Sequence, residues 1–262
     1  MSIINNTTKL QNILDTVNNL PEGSGGEQVD WSANEDARIA GTLSSYFNDR
    51  VKNIDNNAFY KCTNLTSVNF PACTNIGSEA FYSCSRLISV NFPMCANIGS
   101  NAFRHCSSLT SVSFPVCTDI GSNAFYQCTS LTSVSFPVCT DIGKTAFYQC
   151  IKLISVNFPM CANIGSSAFY NCTKLTTADF PLATTIDSKA FYCCYNLKSL
   201  YLTNSVVCTL SNSNAFTSTP IGGYSTSAGT YGSIYVPASL VVAYKSATNW
   251  VTYSNRITAI PE

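Results

Sequence analysis

Cysteine is the residue type with the most chemistry to offer in this 262-residue chain, which holds fourteen cysteines and one histidine. Thiolates ligate zinc from C-x-x-C pairs, and they act as nucleophiles beside histidine or another cationic group. Neither arrangement is present. Cys62, Cys73, Cys84, Cys95, Cys106, Cys117, Cys128, Cys139, Cys150 and Cys161 are evenly spaced, as two series within a longer repeat, and Cys172 continues the first. They alternate with leucine, valine and phenylalanine at inward positions, so they read as small buried hydrophobes. Stacked side chains in one rotamer rarely reach the dihedral near 90° of a disulfide. Reduced structural thiols are therefore the leading expectation, with some bridges as the alternative. No cluster supports a metal site. Cys194 belongs to a series, which leaves its neighbour Cys193 as the more exposed thiol.

His105 stands beside Cys106, but sequence neighbours on a helical turn point about 100° apart. The equivalent position elsewhere holds Lys61, Ser83, Gln127, Gln149 and Asn171, a solvent-facing column. With one histidine there is no Ser/His/Asp triad, and no glycine-rich phosphate loop is present. No catalytic residue and no cofactor are expected. Two recurrent columns are better suited to binding. One runs through Ser67, Asn69, Ser89, Asn91, Ser111, Ser113, Ser133, Ser135, Ser155, Asn157, Thr177 and Asp179, an uncharged hydrogen-bonding strip. The other is Tyr60, Tyr82, Tyr126, Tyr148, Tyr170 and Tyr192, interrupted by Arg104. Ser111, Ser113, Ser133, Ser135, Ser155, Asn157, Tyr126, Tyr148 and Tyr170 are the candidate ligand-binding residues. The competing expectation is a solvated sheet and a flank covered by phenol rings.

The elements that position these columns follow from the repeat. Phe59, Phe81, Phe103, Phe125, Phe147, Phe169 and Phe191 recur at one constant step, each after an alanine. The same step links Leu65 to Leu197, Ile76 to Ile186 and Pro71 to Pro181. In the unit from 109 to 128, Leu109, Val112 and Phe114 have the L-x-x-L-x-L spacing of a leucine-rich-repeat strand, with Ser111 and Ser113 facing out. Pro115 cannot donate to a parallel ladder and ends the strand, and Gly121 supports a tight turn. Ala124, Phe125, Cys128 and Leu131 then mark one face of a short helix or helical turn. One unit cannot bury so many apolar groups, whereas stacked units can.

The fold class expected is an α/β repeat solenoid, a leucine-rich-repeat right-handed superhelix with a parallel β-sheet on one face and short helical turns opposite. Residues 1–24 form an amphipathic helix and linker, with an apolar stripe of Leu10, Ile13, Leu14 and Val17 ended before Pro21. That helix either self-associates into a homo-oligomer through residues 1–20 or folds back on the solenoid. Residues 25–57 hold a cap and a degenerate first repeat, in which Leu43, Tyr46, Val51 and Ile54 stand one repeat step before Leu65, Val68, Cys73 and Ile76. Seven repeats fill 58–204. Residues 205–262 form a degenerate last repeat and a capping helix, with Leu240, Val241, Tyr244 and Trp250 available to cover the last coil.

Charged residues are 11% of the chain, and 14 Lys+Arg balance 14 Asp+Glu. That is unlike the basic surface that nucleic-acid binding requires. No uninterrupted apolar run is long enough to span a bilayer, so no membrane insertion is expected. The opening MSIINNTTKLQNILDTVNNL has no basic leader and no uninterrupted apolar region, so no signal peptide is expected.

The A-F-x-x-C-x-x-L-x-x-V-x-F-P-x-C-x-x-I-G pattern across residues 58–200 resembles the BspA-like leucine-rich repeats of bacterial surface proteins and their protozoan counterparts. The resemblance implies a cell-surface or extracellular solenoid without enzymatic activity, used in adhesion to a host or matrix protein or a glycan. The segment LQNILDTVNNLPEGSGG is similar to the leading segments of prophage structural proteins. That implies a second role, as a tail- or fibre-like virion component oligomerising through its N-terminal helix.

Overall fold

The computed structural model describes residues 51–223 and 231–261. The expected N-terminal helix, its linker and the Leu43 and Tyr46 part of the first coil lie outside the described residues. Within them the chain is a parallel-strand solenoid. Each regular coil gives one three-residue strand and one two-residue strand, and each pairs in parallel with its equivalent in the next coil, as in Ser111↔Ser133 and Asp119↔Asp141.

Alternation makes the three-residue strand. In Ser111–Ser113 the central Val112 is buried and both serines are exposed. Inside, Phe114, Phe125 and their equivalents form two columns of rings. Phe103 and Phe125 stack at 5.3 Å between centroids, Phe114 and Phe136 at 5.4 Å, and the columns meet at a tilt, with Phe114 and Phe125 6.3 Å apart. These offset contacts add to the area that the rings remove from water.

The sheet expected to be continuous is divided into groups of two, two and five strands, the last group gaining one strand near the C-terminal end. The continuous sheet is the other one, whose eight strands run from Asn53–Ile54 to Thr209–Leu210. It is built mostly from Asn-Ile or Asp-Ile dipeptides that pass for connections in the sequence. Two residues carry little alternation, so their pairing shows only in the inter-coil ladder.

The expected helical turns also differ. Between Gly121 and Cys128 no α-helix forms, because Asn123 and Gln127 both have φ of 56°. Ala124, Tyr126 and Cys128 N–H groups close turns onto the carbonyls three residues back, while those of Asn123, Phe125 and Gln127 donate to Lys144, Ala146 and Tyr148 of the next coil. Alternate amides thus close turns and bind coils. Two left-handed residues four positions apart in each coil give the same inward face as a helix without its internal ladder.

Gly121 serves close approach rather than a left-handed turn. It is absent from the positive-φ residues, and a Cβ built on it would lie 2.6 Å from the Ile98 carbonyl oxygen and 2.7 Å from the Gly99 carbonyl carbon. Those are backbone atoms of the preceding coil, and they cannot swing aside. Gly121→Ala is expected to destabilise the solenoid by about 1–3 kcal/mol or more through forced coil separation. A thermal melt checks it, and an unchanged midpoint would contradict the close-approach explanation.

At the far end the regular step gives way to longer ones, with Ile186 paired to Leu210 and Leu200 to Ile234. A 3-10 turn at Ala238–Leu240, a helix at Val241–Ser246 and a second 3-10 stretch at Trp250–Arg256 then cross the last coil. Tyr244 and Trp250 are buried, with Leu240 and Val241 packed against the core. A final strand, Ile257–Ala259, not anticipated from the sequence, pairs in parallel with Ser233–Val236.

Candidate functional site

The polar strip stands on the divided sheet. Ser111 is registered with Ser133, and Ser113 with Ser135, within one pair of strands. Ser155 and Asn157 belong to the next group, opposite Thr177 and Asp179. The ladder beneath the strip therefore breaks between Ser135 and Asn157, where the coils stay joined by the Ile154 amide donating to the Thr132 carbonyl at 3.4 Å. All six candidate residues of the strip are exposed. Their side chains make no hydrogen bond among the described residues, whereas Asn91 donates to Asn69 at 2.6 Å in an earlier coil. Asp179 is half-buried, and burial raises its carboxyl above the usual 3.8.

The tyrosine column is formed by the left-handed turns. Tyr126 and Tyr148 stack at 4.6 Å and 2°, and Tyr148 and Tyr170 at 4.7 Å and 11°. Each phenol is half-buried, and its faces meet its neighbours. The column thus offers ring edges and hydroxyls, and stacking on a sugar ring is open only at its ends. Burial, and then the neighbouring phenol, raise Tyr148 above 10.0; for Tyr170 burial is followed by Cys193. Where Arg104 replaces tyrosine, its guanidinium lies 4.4 Å from the Tyr126 ring centroid. His105 fills the gap edge-on, at 5.6 Å from Tyr82 and 5.7 Å from Tyr126. Burial first and Arg104 second lower its pKa below 6.5, so at neutral pH it is an uncharged spacer.

Thirteen of the cysteines are buried, but they are more than hydrophobes. Sγ of Cys106, Cys128 and Cys150 donates to the carbonyls of Phe81, Phe103 and Phe125 in the preceding coil, at 3.1, 3.2 and 3.2 Å. The second series bonds locally, as Cys117 does to the Asp119 carbonyl at 3.3 Å. Burial lifts these thiols far above 9.0 and keeps them protonated. Cys193 is the one half-buried cysteine of the fourteen. Iodoacetamide at pH 8 is expected to label one thiol in the native protein and all fourteen in denaturant, as counted by intact mass. Labelling of several thiols without denaturant would contradict a closed core.

A third surface was not singled out by sequence reasoning. The continuous sheet aligns Asn75, Asn97, Asp119 and Asp141 in register, one per coil, beside a groove of about 560 Å³ floored by Gly77, Gly99, Gly121 and Gly143. The recurrence of Asn or Asp before a buried isoleucine, in six successive coils from Asn53 to Asn163, was the available signal. Among the described residues no group of three or more His, Cys, Asp or Glu could hold a metal ion. No helix among them is long and apolar enough to cross a membrane.

Parallel coils with a leucine-anchored strand in each define a leucine-rich-repeat solenoid. The chain belongs to the BspA-type leucine-rich-repeat family, whose model matches six copies over residues 42–138 and 118–229. It is similar to the crystal structure of a leucine-rich cell-surface protein of Faecalibacterium prausnitzii A2-165, at 24% identity over 81% of this chain, with a TM-score of 0.50. It spans 61% of that protein's chain, and at this identity the likeness shows the fold. A leucine-rich-repeat protein of T. pallidum is 26% identical, covering 59% of this chain and 67% of its own, with a TM-score of 0.42. The pneumococcal vaccine antigen PcpA is 15% identical, covering 81% and 60%, with a TM-score of 0.46. A search of curated proteins finds no match.

Proposed function

We propose that the chain is a non-enzymatic recognition solenoid of a cell surface, binding a host or matrix protein or a glycan through the polar strip of its divided sheet. The observation that carries this is the unengaged hydrogen-bonding capacity of Ser111, Ser113, Ser133, Ser135, Ser155 and Asn157, all exposed on strands held by a rigid core. Groups already ordered by the scaffold lose little entropy on binding. Membership of a family of bacterial surface repeats supports the location.

A matrix-protein and glycan array, probed with the full chain, tests this. Saturable binding is expected, and Ser111→Ala, Ser133→Ala and Ser155→Ala together are expected to weaken it at least tenfold. Loss instead through Tyr126→Ala, Tyr148→Ala and Tyr170→Ala would move recognition to the phenol column. Absence of binding, together with an oligomer that dissociates when residues 1–24 are removed, would sink recognition in favour of a display component.

A further inference from the structure

The structure assigns a second binding site to the groove on the continuous sheet, and we infer that it takes a linear, neutral oligosaccharide laid along the solenoid axis. This rests on the recognition reading but concerns a different face.

The groove has a bare floor and polar walls. Its glycines admit no side chain, since a Cβ on Gly99 would lie 2.6 Å from the Gly77 carbonyl carbon, just as one on Gly121 meets Ile98. Coil stacking thus strips the floor and lets a ligand approach the backbone. Beside it, Asn97 and Asp119 are exposed, with Asn75 and Asp141 half-buried. The side-chain amides of Asn75 and Asn97 make no hydrogen bond among the described residues.

The two carboxylates are oriented from one side. The Thr118 hydroxyl donates to Oδ2 of Asp119, and the Thr140 hydroxyl to Oδ2 of Asp141, each at 2.7 Å. Oδ1 of Asp141 accepts from Asn163 at 2.6 Å, leaving Oδ1 of Asp119 open among the described residues. Amide donors in two coils and fixed carboxylate acceptors in the next two suit a ligand of hydroxyls, which both donate and accept.

Repeat distance and charge narrow the class. Successive coils present one polar side chain about every 4.8 Å. A pyranose ring in an extended chain advances by a similar length, so sugars and coils stay in step, whereas an extended peptide does not. The isoleucines beneath the floor are buried, and no aromatic residue or arginine lines the groove, so it lacks the anchors on which protein partners depend. Two carboxylates and no lysine on the walls disfavour acidic sugars.

The test is calorimetry on the full chain with cello-, xylo-, manno- and chito-oligosaccharides of two to six units, and with oligogalacturonides as the acidic arm. At least one neutral series is expected to bind, with affinity climbing to four or five units and then levelling, since Asn75 to Asp141 spans four coils. Asp119→Ala and Asp141→Ala are each expected to weaken binding about tenfold. Thr118→Val is expected to weaken it less, and Ser111→Ala with Ser133→Ala to leave it unchanged. Should either alanine variant melt early, Asp119→Asn and Asp141→Asn keep the shape and carry the comparison. No binding by any neutral series, tighter binding of oligogalacturonides, or groove substitutions without effect would each overturn the proposal. Loss through the serine substitutions alone removes the groove site and leaves the polar strip standing. A matrix protein bound on the array without any oligosaccharide binding does the same.

Discussion

Raising the pH through 9 to 10 is expected to unfold the solenoid abruptly. Eleven buried thiols have pKa values raised by burial: Cys73 to about 11, Cys95, Cys139 and Cys208 to about 12, and Cys106, Cys117, Cys128, Cys150, Cys161, Cys172 and Cys194 also upward. An acid held neutral in the fold contributes stability that is intact below its unfolded pKa. As pH rises above that value the unfolded chain ionises first, and stability falls until the folded pKa is reached. With an unfolded value of 9.0, the loss by pH 10 is on the order of 1 kcal/mol per thiol, and on the order of 10 kcal/mol for the set. That equals the whole stability of an ordinary domain, about 5–15 kcal/mol. Far-UV circular dichroism against pH measures the transition. Replacing Cys106, Cys128 and Cys150 by alanine should lower its steepness, because fewer protons are released. A fold that persists to pH 11 would show that the thiols are solvated or already oxidised.

Trp250→Ala is expected to cost about 3–5 kcal/mol for the lost ring, and about 1–3 kcal/mol more for the carbonyl it leaves unpaired. The last coil has no successor to accept its ladder bonds, and the cap substitutes side chains for that successor. Trp250 Nε1 donates to the Cys208 carbonyl at 2.7 Å, Asn249 Nδ2 to the Leu210 carbonyl at 2.7 Å, and the Cys208 amide to the Tyr244 hydroxyl at 2.9 Å. The Tyr253 hydroxyl reaches the Ser213 carbonyl. Trp250 also packs on Phe216, the end of a phenylalanine column, at 6.0 Å. Hydrogen exchange should therefore rise first at Thr209 and Leu210 and spread toward Ile186. Equal loss of protection in every coil would mean that the array melts as one unit, with no special role for the cap.

Much of this was legible in the residues. A constant step shared by Phe125, Leu131 and Ile142 with their equivalents identifies stacked coils, and alternation at Ser111, Val112 and Ser113 identifies a strand and its outward face. The groove was not legible in the same way. Asn97 and Asp119 look like loop residues beside a glycine, and nothing local says that they pair with the coils above and below.

The linear pattern establishes which residues are equivalent and which of them are apolar, because each coil repeats one motif and only stacking can bury it. How equivalent residues meet is a property of the folded coils alone. Left-handed Asn123 and Gln127 turn alternate amides toward the next coil, so an apparent helix becomes a stack of turns. Gly121 is confined by Ile98 rather than by its own turn, and the cysteine thiols find carbonyls one coil away. These contacts join residues far apart in the chain, and their geometry depends on the rise and twist between coils. A one-dimensional period carries neither quantity.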